Sequence, residues 1–396
     1  MAHGAGRGDR MTGVQLLRGR EIVIGVTGSI AAVEVVKLIH ALRRRGAAVH
    51  AVMSRAATGI IHPDALTYAT GMPTITRLSG MVEHVTSCGD GGTADLLLIA
   101  PCTANTIGKI ASGIDDTPVT TFATTSLGSG IPIIIVPAMH QSMYRHPGVM
   151  ENLKRLKRWG IIVVDPRIEE GKAKIARVEE IVLWCERAVL GQPLKGKKVL
   201  ITSGPCREPV DDIRVLTTRS SGLMGRELAL QAFRLGADVT VVHHDTFPCV
   251  VNVRADTAQE MHEGVLKCCS EYGADIYISA AAISDFAPVR VQGKIPSGKA
   301  GSLDLAPLPK LLDKVIEHYR PLTVAFSLGQ ETGSKVQGLL TSGSSMVITN
   351  TPEAMGNDRG EFVLHTKDGT TTVNATKEEA AVAIWNTLLA GQQEKF

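Results

Sequence analysis

Many of the groups that could bind a phosphorylated ligand fall in one stretch of the chain, residues 203–225. Its sequence is SGPCREPVDDIRVLTTRSSGLMG, with three arginines, three glycines and five serines or threonines. A strand and the helix after it are usually joined by about 2 to 6 residues, so this connection is unusually long. Guanidinium and hydroxyl groups donate well to phosphate oxygens, and glycine lets the backbone come close. The stretch predicts an anion-binding loop, with an arginine-rich surface loop as the alternative. The residues expected to form the anion-binding loop are Gly204, Arg207, Ser220, Ser221 and Gly222.

Two stretches in the first half place polar residues directly after a predicted strand. In GVTGSIAA, Gly28 and Ser29 fall where a helix begins, and the exposed N–H groups of a helix start favour an anion. In PCTANT, Thr103, Asn105 and Thr106 occupy the same kind of position. These groups can bond a phosphate or the edge of a heteroaromatic ring. Plain helix capping is the alternative in both stretches.

A third stretch, PAMHQSMY, follows another predicted strand and holds Met139, His140 and Met143. Methionines at a strand end can simply fill the core. A histidine between them, at the edge of the sheet where ligands bind, is less well explained by packing. We therefore include these three residues in the candidate site.

The elements that must position these residues repeat in both halves. Residues 21–28 predict a buried strand, 29–45 a helix and 47–54 a second strand, which implies parallel strands and a right-handed crossover. The second half repeats the plan in KKVLITSG, MGRELALQAFRLG and ADVTVVHH. Further strands are predicted at 96–100, 131–137, 161–165, 275–282, 322–328 and 346–350. Each half is thus predicted to be a doubly wound, Rossmann-like α/β domain with a parallel sheet and its ligand at the carboxyl ends of the strands.

Composition limits the class of protein. Hydrophobic residues make up 44% of the chain and aromatic residues only 4%, as in α/β proteins built on aliphatic side chains. A net charge of +3 is too small to indicate nucleic-acid binding. Seven cysteines without a CxxC pair indicate free thiols in a reducing compartment and no zinc site. No apolar run approaches the roughly 18 residues of a membrane span, and the N-terminus lacks the apolar stretch of a signal peptide. We expect a soluble, cytoplasmic protein that binds neither nucleic acid nor membrane.

The two predicted halves define the domain organisation. Residues 1–20 are basic and are expected to be a flexible lead-in. The first domain is predicted to span 21–189 and the second 198–396. Residues 190–197, which are polar and carry Pro and Gly, form the predicted linker.

Three motifs of the first half, GxTGSIAA, PxxANT and PAMxxxMY, resemble the flavin-dependent phosphopantothenoylcysteine decarboxylases over roughly residues 20–188. The resemblance implies a flavodoxin-like domain that binds FMN. It also implies a homo-oligomer, because the flavin site of that family is built across subunits. The residues that would surround FMN are Gly28, Ser29, Ser54, Thr103, Asn105 and Thr106. His84 stands where the family carries its catalytic histidine, and Met139 and Met143 would contact substrate.

The resemblance implies decarboxylation of a cysteine-derived carboxylate, for which flavin creates an electron sink by oxidising the C–S bond. Two positions depart from the family. His140 replaces an asparagine that binds the substrate carboxylate, and an imidazole can still donate to it. The flap cysteine that protonates the product is absent from IEEGKAKIARVEEI, residues 168–181. Lys172 or Lys174 could order this flap or deliver the proton.

The loop at 203–225 and the later motifs AAAISDFAP, KIPSGK and VAFSLGQET resemble the phosphopantothenate–cysteine ligase domain over about residues 197–385. The resemblance implies that a nucleotide with Mg²⁺ activates the carboxylate of 4′-phosphopantothenate and that cysteine then forms the amide. Contacts to nucleotide or substrate are implied for Gly204, Arg207, Thr218, Ser220, Ser221, Gly222, Ala281, Ala282, Asp285 and Phe326. Lys294 would neutralise charge as the acyl-nucleotide forms, and Lys299 is its rival for that role.

This half also departs from the family at individual positions. Thr218 replaces an asparagine of the loop, and Leu223 replaces the lysine of SSGKMG. The nucleotide is CTP in most relatives and ATP in some, and the sequence leaves that choice open. The residues that would bind Mg²⁺ are also left open by the sequence.

The resemblances together predict a bifunctional enzyme of coenzyme A biosynthesis. The second domain would ligate 4′-phosphopantothenate to cysteine through an acyl-cytidylate, and the first would decarboxylate the product to 4′-phosphopantetheine. Two alternatives remain. One is an FMN protein of the same fold with a different thiol decarboxylase or prenyltransferase activity, and the other is a non-catalytic regulatory subunit.

Overall fold

Strands and helices alternate along the chain in the computed structural model, which describes residues 13–296, 298, 302–329 and 333–391. The chain divides into two compact units, one that ends at Leu190 and one that begins at Gly191. Lys299 lies outside the described residues. Every helix among the described residues is too short or too polar to span a bilayer.

The first unit has eight strands and nine α-helices among its described residues. The strands are β1 (Glu21–Val26), β2 (Ala48–Met53), β3 (Leu96–Cys102), β4 (Ile133–Pro137), β5 (Met139–His140), β6 (Ile162–Val163), β7 (Arg167–Glu169) and β8 (Lys172–Lys174). The helices are α1 (Val35–Arg44), α2 (Arg55–Thr58), α3 (Pro63–Thr70), α4 (Glu83–Cys88), α5 (Ala104–Ala111), α6 (Pro118–Gly128), α7 (Gln141–Tyr144), α8 (Pro147–Arg158) and α9 (Val178–Val189), with a 3-10 helix at Ile30–Glu34 before α1.

A five-stranded parallel sheet in the order β2-β1-β3-β4-β6 forms the centre of the first unit. Alternate residues of β3 enter different apolar clusters, Leu96 and Leu98 on one face and Leu97 and Ile99 on the other. A strand buried on both faces has a continuous apolar sequence, which is why LLLIA was recognisable as a strand. The predicted doubly wound parallel sheet is confirmed.

A small antiparallel sheet in the order β5-β8-β7 lies beside the parallel one in the first unit. Met139 of β5 pairs with Ala173 of β8, and His140 pairs with Lys172. The sheet thereby joins the PAMH segment to the predicted flap. The sequence did not predict this pairing, because strands of two or three residues carry no usable periodicity.

The second unit has twelve strands and five α-helices among its described residues. The strands are β9 (Lys198–Thr202), β10 (Arg207–Pro209), β11 (Val215–Thr217), β12 (Asp238–His243), β13 (Val251–Arg254), β14 (Ile276–Ser279), β15 (Phe286–Pro288), β16 (Leu305–Pro307), β17 (Leu322–Leu328), β18 (Ser344–Asn350), β19 (Arg359–His365) and β20 (Thr370–Thr376). The helices are α10 (Leu223–Arg234), α11 (Ala258–Tyr272), α12 (Leu311–Tyr319), α13 (Gly333–Thr341) and α14 (Lys377–Ala390), with a 3-10 helix at Pro352–Ala354.

The main sheet of the second unit has the order β13-β12-β9-β14-β17-β18-β19-β20. The strands from β13 to β18 are parallel, which confirms the predicted doubly wound plan. The last two strands run antiparallel, with Asn350 of β18 opposite Phe362 of β19. We had not predicted this hairpin, because β20 (TTTVNAT) is mostly polar and exposed at the sheet edge.

Candidate functional sites

A cavity of about 950 Å³ lies in the first unit at the carboxyl ends of the central strands. Hydroxyl residues begin the helical segment after each of three strands. The Oγ of Ser29 accepts from the N–H of Ala31, and Ser54 and Thr103 cap α2 and α5 in the same manner. All three hydroxyl residues line the cavity. Because the oxygens of Ser29 and Ser54 accept the capping bond, their protons remain available to donate to a ligand, whereas the Thr103 hydroxyl also shares a hydrogen bond with that of Thr106 at 3.1 Å.

Gly28 allows two segments of this cavity wall to approach each other. A Cβ at Gly28 would lie 2.5 Å from the Cβ of Ala56, so a larger residue would push the end of β1 away from α2. The buried Thr27 hydroxyl donates to the carbonyl of Pro101 at 2.7 Å and accepts from the N–H of Thr103 at 3.0 Å. This link fixes the end of β1 against the start of α5. We had not singled out Thr27 from the sequence.

The remaining wall of the cavity comes from the β4–α7 segment and the small antiparallel sheet. Most of the predicted residues of the first half come together in this cavity; they are Gly28, Ser29, Ser54, Thr103, Asn105, Thr106, Met139, His140 and Met143. Six cationic side chains also line it, of which only Lys172 and Lys174 had been considered, as flap residues; the six are Arg55, Lys109, Arg167, Lys172, Lys174 and Arg177. The cavity is therefore suited to an anionic ligand.

The two flap lysines have different surroundings. The ammonium of Lys174 lies 2.9 Å from Glu170 and 3.3 Å from Glu169. Hydrogen bonds to Glu170 and then Glu169 raise the pKa of Lys174 above its usual range. In the described part of the chain, the ammonium of Lys172 makes neither a hydrogen bond nor an ion pair.

His84 does not line this cavity. It lies in helix α4 rather than in the strand-to-loop stretch that we had assumed, and its ring meets that of Phe122 edge-on at 6.4 Å between centroids. Its Nδ1 is buried and has no hydrogen-bond partner in the structure. The residues before and after it, Met81, Val82 and Val85, are exposed and apolar. The structure thus separates His84 from the other predicted residues of one chain.

A second cavity, of about 980 Å³, lies in the second unit, again at the carboxyl ends of strands. The predicted residues that line it are Thr218, Ser220, Ser221, Gly222, Ala281, Ala282, Asp285 and Phe326. Gly222 caps α10 in the left-handed region, with φ of +72°, so the N-terminus of a twelve-residue helix faces this cavity. The positive end of the helix dipole favours an anion there.

Close backbone contacts shape the start of α10. The Oγ of Ser203 donates to the carbonyl of Gly222 at 3.1 Å. A Cβ at Gly225 would lie 2.3 Å from that Oγ, and a Cβ at Gly222 would lie 3.2 Å from the Cα of Gly204. Three glycines of the 203–225 stretch are therefore required for the loop to fold back on the end of β9.

Gly204, Arg207 and Lys294 do not line the second cavity. Gly204 has φ of +82°, and its carbonyl accepts from the N–H of Ala282 at 2.9 Å, so it positions the residues after β14. Arg207 and Lys294 are exposed. The roles predicted for these three residues therefore stay predictions.

Asp211, which we had not selected from the sequence, fastens the segment of Lys294 to the 203–225 stretch. Its buried carboxylate accepts from the N–H groups of Ile213, Arg214 and Ile295 and from the Arg214 guanidinium, at 2.6 to 3.1 Å. Burial would raise the pKa of Asp211, but the hydrogen bonds from Ile213, Ile295 and Arg214 and the Arg214 charge outweigh it and lower the pKa to about 2. The carboxylate is ionised at any physiological pH.

Further polar residues line the second cavity although we had not assigned them. They include Arg219, Lys310, Lys335, Asn350 and Lys377. The ammonium of Lys310 lies 3.9 Å from Asp285. The sequence does carry a signal that a helix begins at Lys377. The T-x-x-E pattern that starts at Thr376 is typical of a capping box, which marks the start of a helix. Among the described residues, no cluster of three His, Cys, Asp or Glu side chains could hold a metal ion.

Comparison with known proteins assigns both units. Residues 13–189 match the family described as Flavoprotein, and residues 194–391 match the DNA/pantothenate metabolism flavoprotein C-terminal domain. The coenzyme A biosynthesis bifunctional protein CoaBC of Thermococcus kodakarensis is 43% identical over 384 residues, which cover 93% of this chain and 95% of the relative. The CoaBC protein of Methanocaldococcus jannaschii is 33% identical over 388 residues and 93% of both chains. A crystal structure of the C-terminal domain of a CoaBC protein is 26% identical with a TM-score of 0.44, covering 52% of this chain and all of that one.

Proposed function

The chain belongs to the family of CoaBC bifunctional coenzyme A biosynthesis proteins, and we propose that it converts 4′-phosphopantothenate and cysteine to 4′-phosphopantetheine in two steps. The second unit ligates the two substrates through an acyl-nucleotide, and the first unit decarboxylates the product. The observation that carries this proposal is that each unit has its own cavity at the carboxyl ends of its strands, lined by the motif residues. All seven cysteines are free thiols, as in a reducing compartment, and we place the protein in the cytoplasm.

The residues of the first cavity fit FMN. Ser29 and Ser54 each keep a hydroxyl proton for a phosphate or a ring edge, the paired hydroxyls of Thr103 and Thr106 offer one between them, and Gly28 lets the backbone come close. Apolar residues such as Ala138 line the same space and suit a flat ring. FMN, when bound, supplies the electron sink that makes the cysteinyl carboxylate labile. The protein binds and orients the substrate and moves the proton.

The cationic wall of the first cavity binds the substrate carboxylate in this proposal. His140 donates to it from the end of β5, beside Lys172 in the neighbouring strand. We assign proton delivery to Lys172, because its ammonium has no partner among the described residues that would hold its proton. Lys174, which two glutamates hold in its charged form, orders the β7–β8 turn instead.

His84 completes the first site from a second copy of the chain in this proposal. It lies outside the cavity of its own chain, among exposed apolar residues such as Met81, which is 75% exposed. At the mouth of the cavity Ile30 is 77% exposed. Two apolar surfaces of this kind, one beside the cavity and one beside His84, suit contact between copies. The functional form is then a homo-oligomer.

In the second cavity, the N-terminus of α10 and the hydroxyls of Ser220 and Ser221 bind the triphosphate. The backbone of Ala281 and Ala282 lies against the base, and Phe326 packs beside it. Lys294 neutralises the charge that develops as the acyl-nucleotide forms. Mg²⁺ is carried on the phosphates, which is its usual mode in nucleotide enzymes and needs no protein cage. CTP is our first choice of nucleotide, with ATP as the alternative.

One observation favours the alternative of a non-catalytic regulatory subunit or a different FMN-dependent reaction. The segment that replaces the flap cysteine, Lys172–Lys174, offers an ammonium rather than a thiol. An amine is a weaker acid at neutral pH than a perturbed thiol. Turnover decides between these functions, because each of them would bind flavin.

Mass spectrometry of one reaction mixture tests the proposal. The mixture contains the full chain, 4′-phosphopantothenate, cysteine, Mg²⁺ and either CTP or ATP. We expect 4′-phosphopantetheine together with the nucleoside monophosphate. A His84→Asn variant is expected to accumulate 4′-phosphopantothenoylcysteine, since loss of a general acid or base costs about 10² to 10⁴ in rate. No product with either nucleotide, from folded and flavin-loaded protein, would contradict the bifunctional assignment.

A further inference from the structure

Lys377, the first residue of α14, is a lysine buried at the wall of the second cavity. It is 5% exposed and lines the cavity together with Asn350, Met355 and Phe362. Lysine is rarely buried to this extent unless its ammonium is paired, because removing a charge from water is costly. A negatively charged group is therefore needed to offset the charge of the Lys377 ammonium.

The described part of the chain supplies no direct counter-ion. The ammonium of Lys377 makes no hydrogen bond or ion pair with the described residues; the backbone N–H of Lys377 donates to the carbonyl of Asp358 at 2.8 Å. Burial lowers the pKa of Lys377, and the charge of Asp358 only partly opposes it. Lys310 differs, since it lies near Asp285 and its side chain is 66% exposed.

The position of Lys377 in α14 offers no compensation either. The N-terminus of this helix is already capped, because Thr376 accepts from the N–H of Glu379 and Glu379 accepts from the N–H of Thr376. A cation in the first turn of a helix is opposed by the helix dipole. The ammonium is thus opposed by both burial and the helix dipole and has no partner among the described residues. Lys377 lines the same cavity as the N-terminus of α10.

We propose that Lys377 is a substrate-binding residue whose ammonium pairs with a phosphate group in the second cavity. This inference rests on the proposed ligase function, which supplies two phosphate sources, the triphosphate of the nucleotide and the phosphate of 4′-phosphopantothenate. The chemistry of recognition is the same for both. Binding of the anion supplies the counter-charge that the described residues do not provide.

Calorimetric titration of the full chain with Mg²⁺–CTP, Mg²⁺–ATP and 4′-phosphopantothenate separately tests this proposal. Lys377→Met keeps the length of the side chain and removes its charge, and Lys377→Arg keeps the charge. Lys367→Met, in the exposed β19–β20 turn, is the matched control. We expect Lys377→Met to weaken binding of one ligand by about tenfold or more, as loss of a charged hydrogen bond does, and Lys377→Arg to retain most of it. The ligand affected identifies the phosphate source.

Chemical labelling of the unmodified protein gives a second readout that needs no variant. Acetic anhydride should label Lys377 in the free protein, and the ligand that binds there should slow that labelling relative to Lys367. Unchanged affinity for every ligand in Lys377→Met, or equal labelling with and without ligand, would overturn the proposal. If the unmodified protein bound none of the three ligands, the ligase function itself would fail, and that result is distinct from a Lys377 variant that still binds.

Discussion

Lys172 and Lys174 lie on the same short strand but have different surroundings. Lys174 is held by Glu169 and Glu170, which raise its pKa, whereas Lys172 has no such partner in the described part of the chain. We predict that Lys172→Met slows decarboxylation of 4′-phosphopantothenoylcysteine by about 10² or more, the usual contribution of a general acid, with flavin content unchanged. Product formation and flavin absorbance measure the two quantities.

Lys174→Met is the matched comparison for that prediction. It should loosen the β7–β8 turn and raise KM more than it lowers kcat, because it removes ion pairs rather than the proton donor. A larger loss of kcat in Lys174→Met than in Lys172→Met would contradict the assignment of roles.

At the residue scale, the sequence identified groups that follow a recognisable strand. Ser29 and Thr103 were found because the apolar strands before them have unmistakable patterns. Lys377 was not found, because its burial depends on a hairpin whose strands carry a weak pattern. Asp211 was not found because its partner Ile295 is 84 positions away, a pairing that no local spacing encodes.

At the element scale, the approach of α10 to β9 depends on Gly225. A Cβ there would lie 2.3 Å from the Oγ and 2.6 Å from the Cβ of Ser203. We predict that Gly225→Ala displaces the start of α10, destabilises the second unit by about 1–3 kcal/mol as overpacking does, and weakens nucleotide binding. Thermal unfolding and nucleotide titration measure these effects.

Gly128→Ala is the control for that substitution. Gly128 is the last residue of helix α6, and a Cβ added there would meet no described atom within 4 Å outside the backbone of its own helix. It should be neutral or slightly stabilising, since alanine favours the helix over glycine. Nucleotide affinity that stayed unchanged in Gly225→Ala would show that the α10 N-terminus does not bind the phosphates.

The contacts of Asp211 join two elements, the β10–β11 hairpin and the segment that carries Lys294. The pKa of this carboxyl is lowered to about 2, so its ionised form stabilises the fold, fully above the ordinary pKa near about 4 and less as pH falls through about 2. We predict that Asp211→Asn, which cannot ionise, is less stable than the unmodified protein near neutral pH. The difference should shrink as pH falls from about 4 towards about 2.

Denaturant titrations of both proteins across this pH range measure the difference, with Asp238→Asn as an exposed control at the start of β12. Asp211→Asn should also lower kcat for ligation while nucleotide affinity stays the same, because Lys294 is repositioned and the cavity is not. A stability difference that is constant with pH would mean that the charge of Asp211 does not hold this segment.

The main sheets could be predicted at the level of elements, and the small ones could not. Buried parallel strands such as β3 and β4 are nearly continuous apolar runs. The β5–β8–β7 sheet depends on pairing between segments that have no periodic pattern of their own. The sequence shows the cationic residues of the first cavity but does not show that they lie together on one wall of it.

At the scale of the whole molecule, each unit has its own core and its own cavity, which explains why the two resemblances could be recognised separately. The sequence did not show that His84 lies apart from the other candidate residues of its chain, and in our proposal it serves the cavity of another copy. A site formed between copies of the chain depends on surface residues. Exposed apolar side chains follow no periodic pattern that would identify them in the sequence.

Mixing two variants tests whether the two sites work independently and exchange the intermediate through solution. His84→Asn should retain ligation and accumulate 4′-phosphopantothenoylcysteine, and Gly225→Ala should retain decarboxylation of that compound when it is supplied. We predict that neither variant alone makes 4′-phosphopantetheine efficiently from the starting substrates, whereas a mixture does so after a lag. The lag should shorten as the concentration of Gly225→Ala rises, because the intermediate must leave one protein and bind another. A mixture that stayed inactive while each variant kept its single activity would show that the intermediate is not released, and would contradict independent sites.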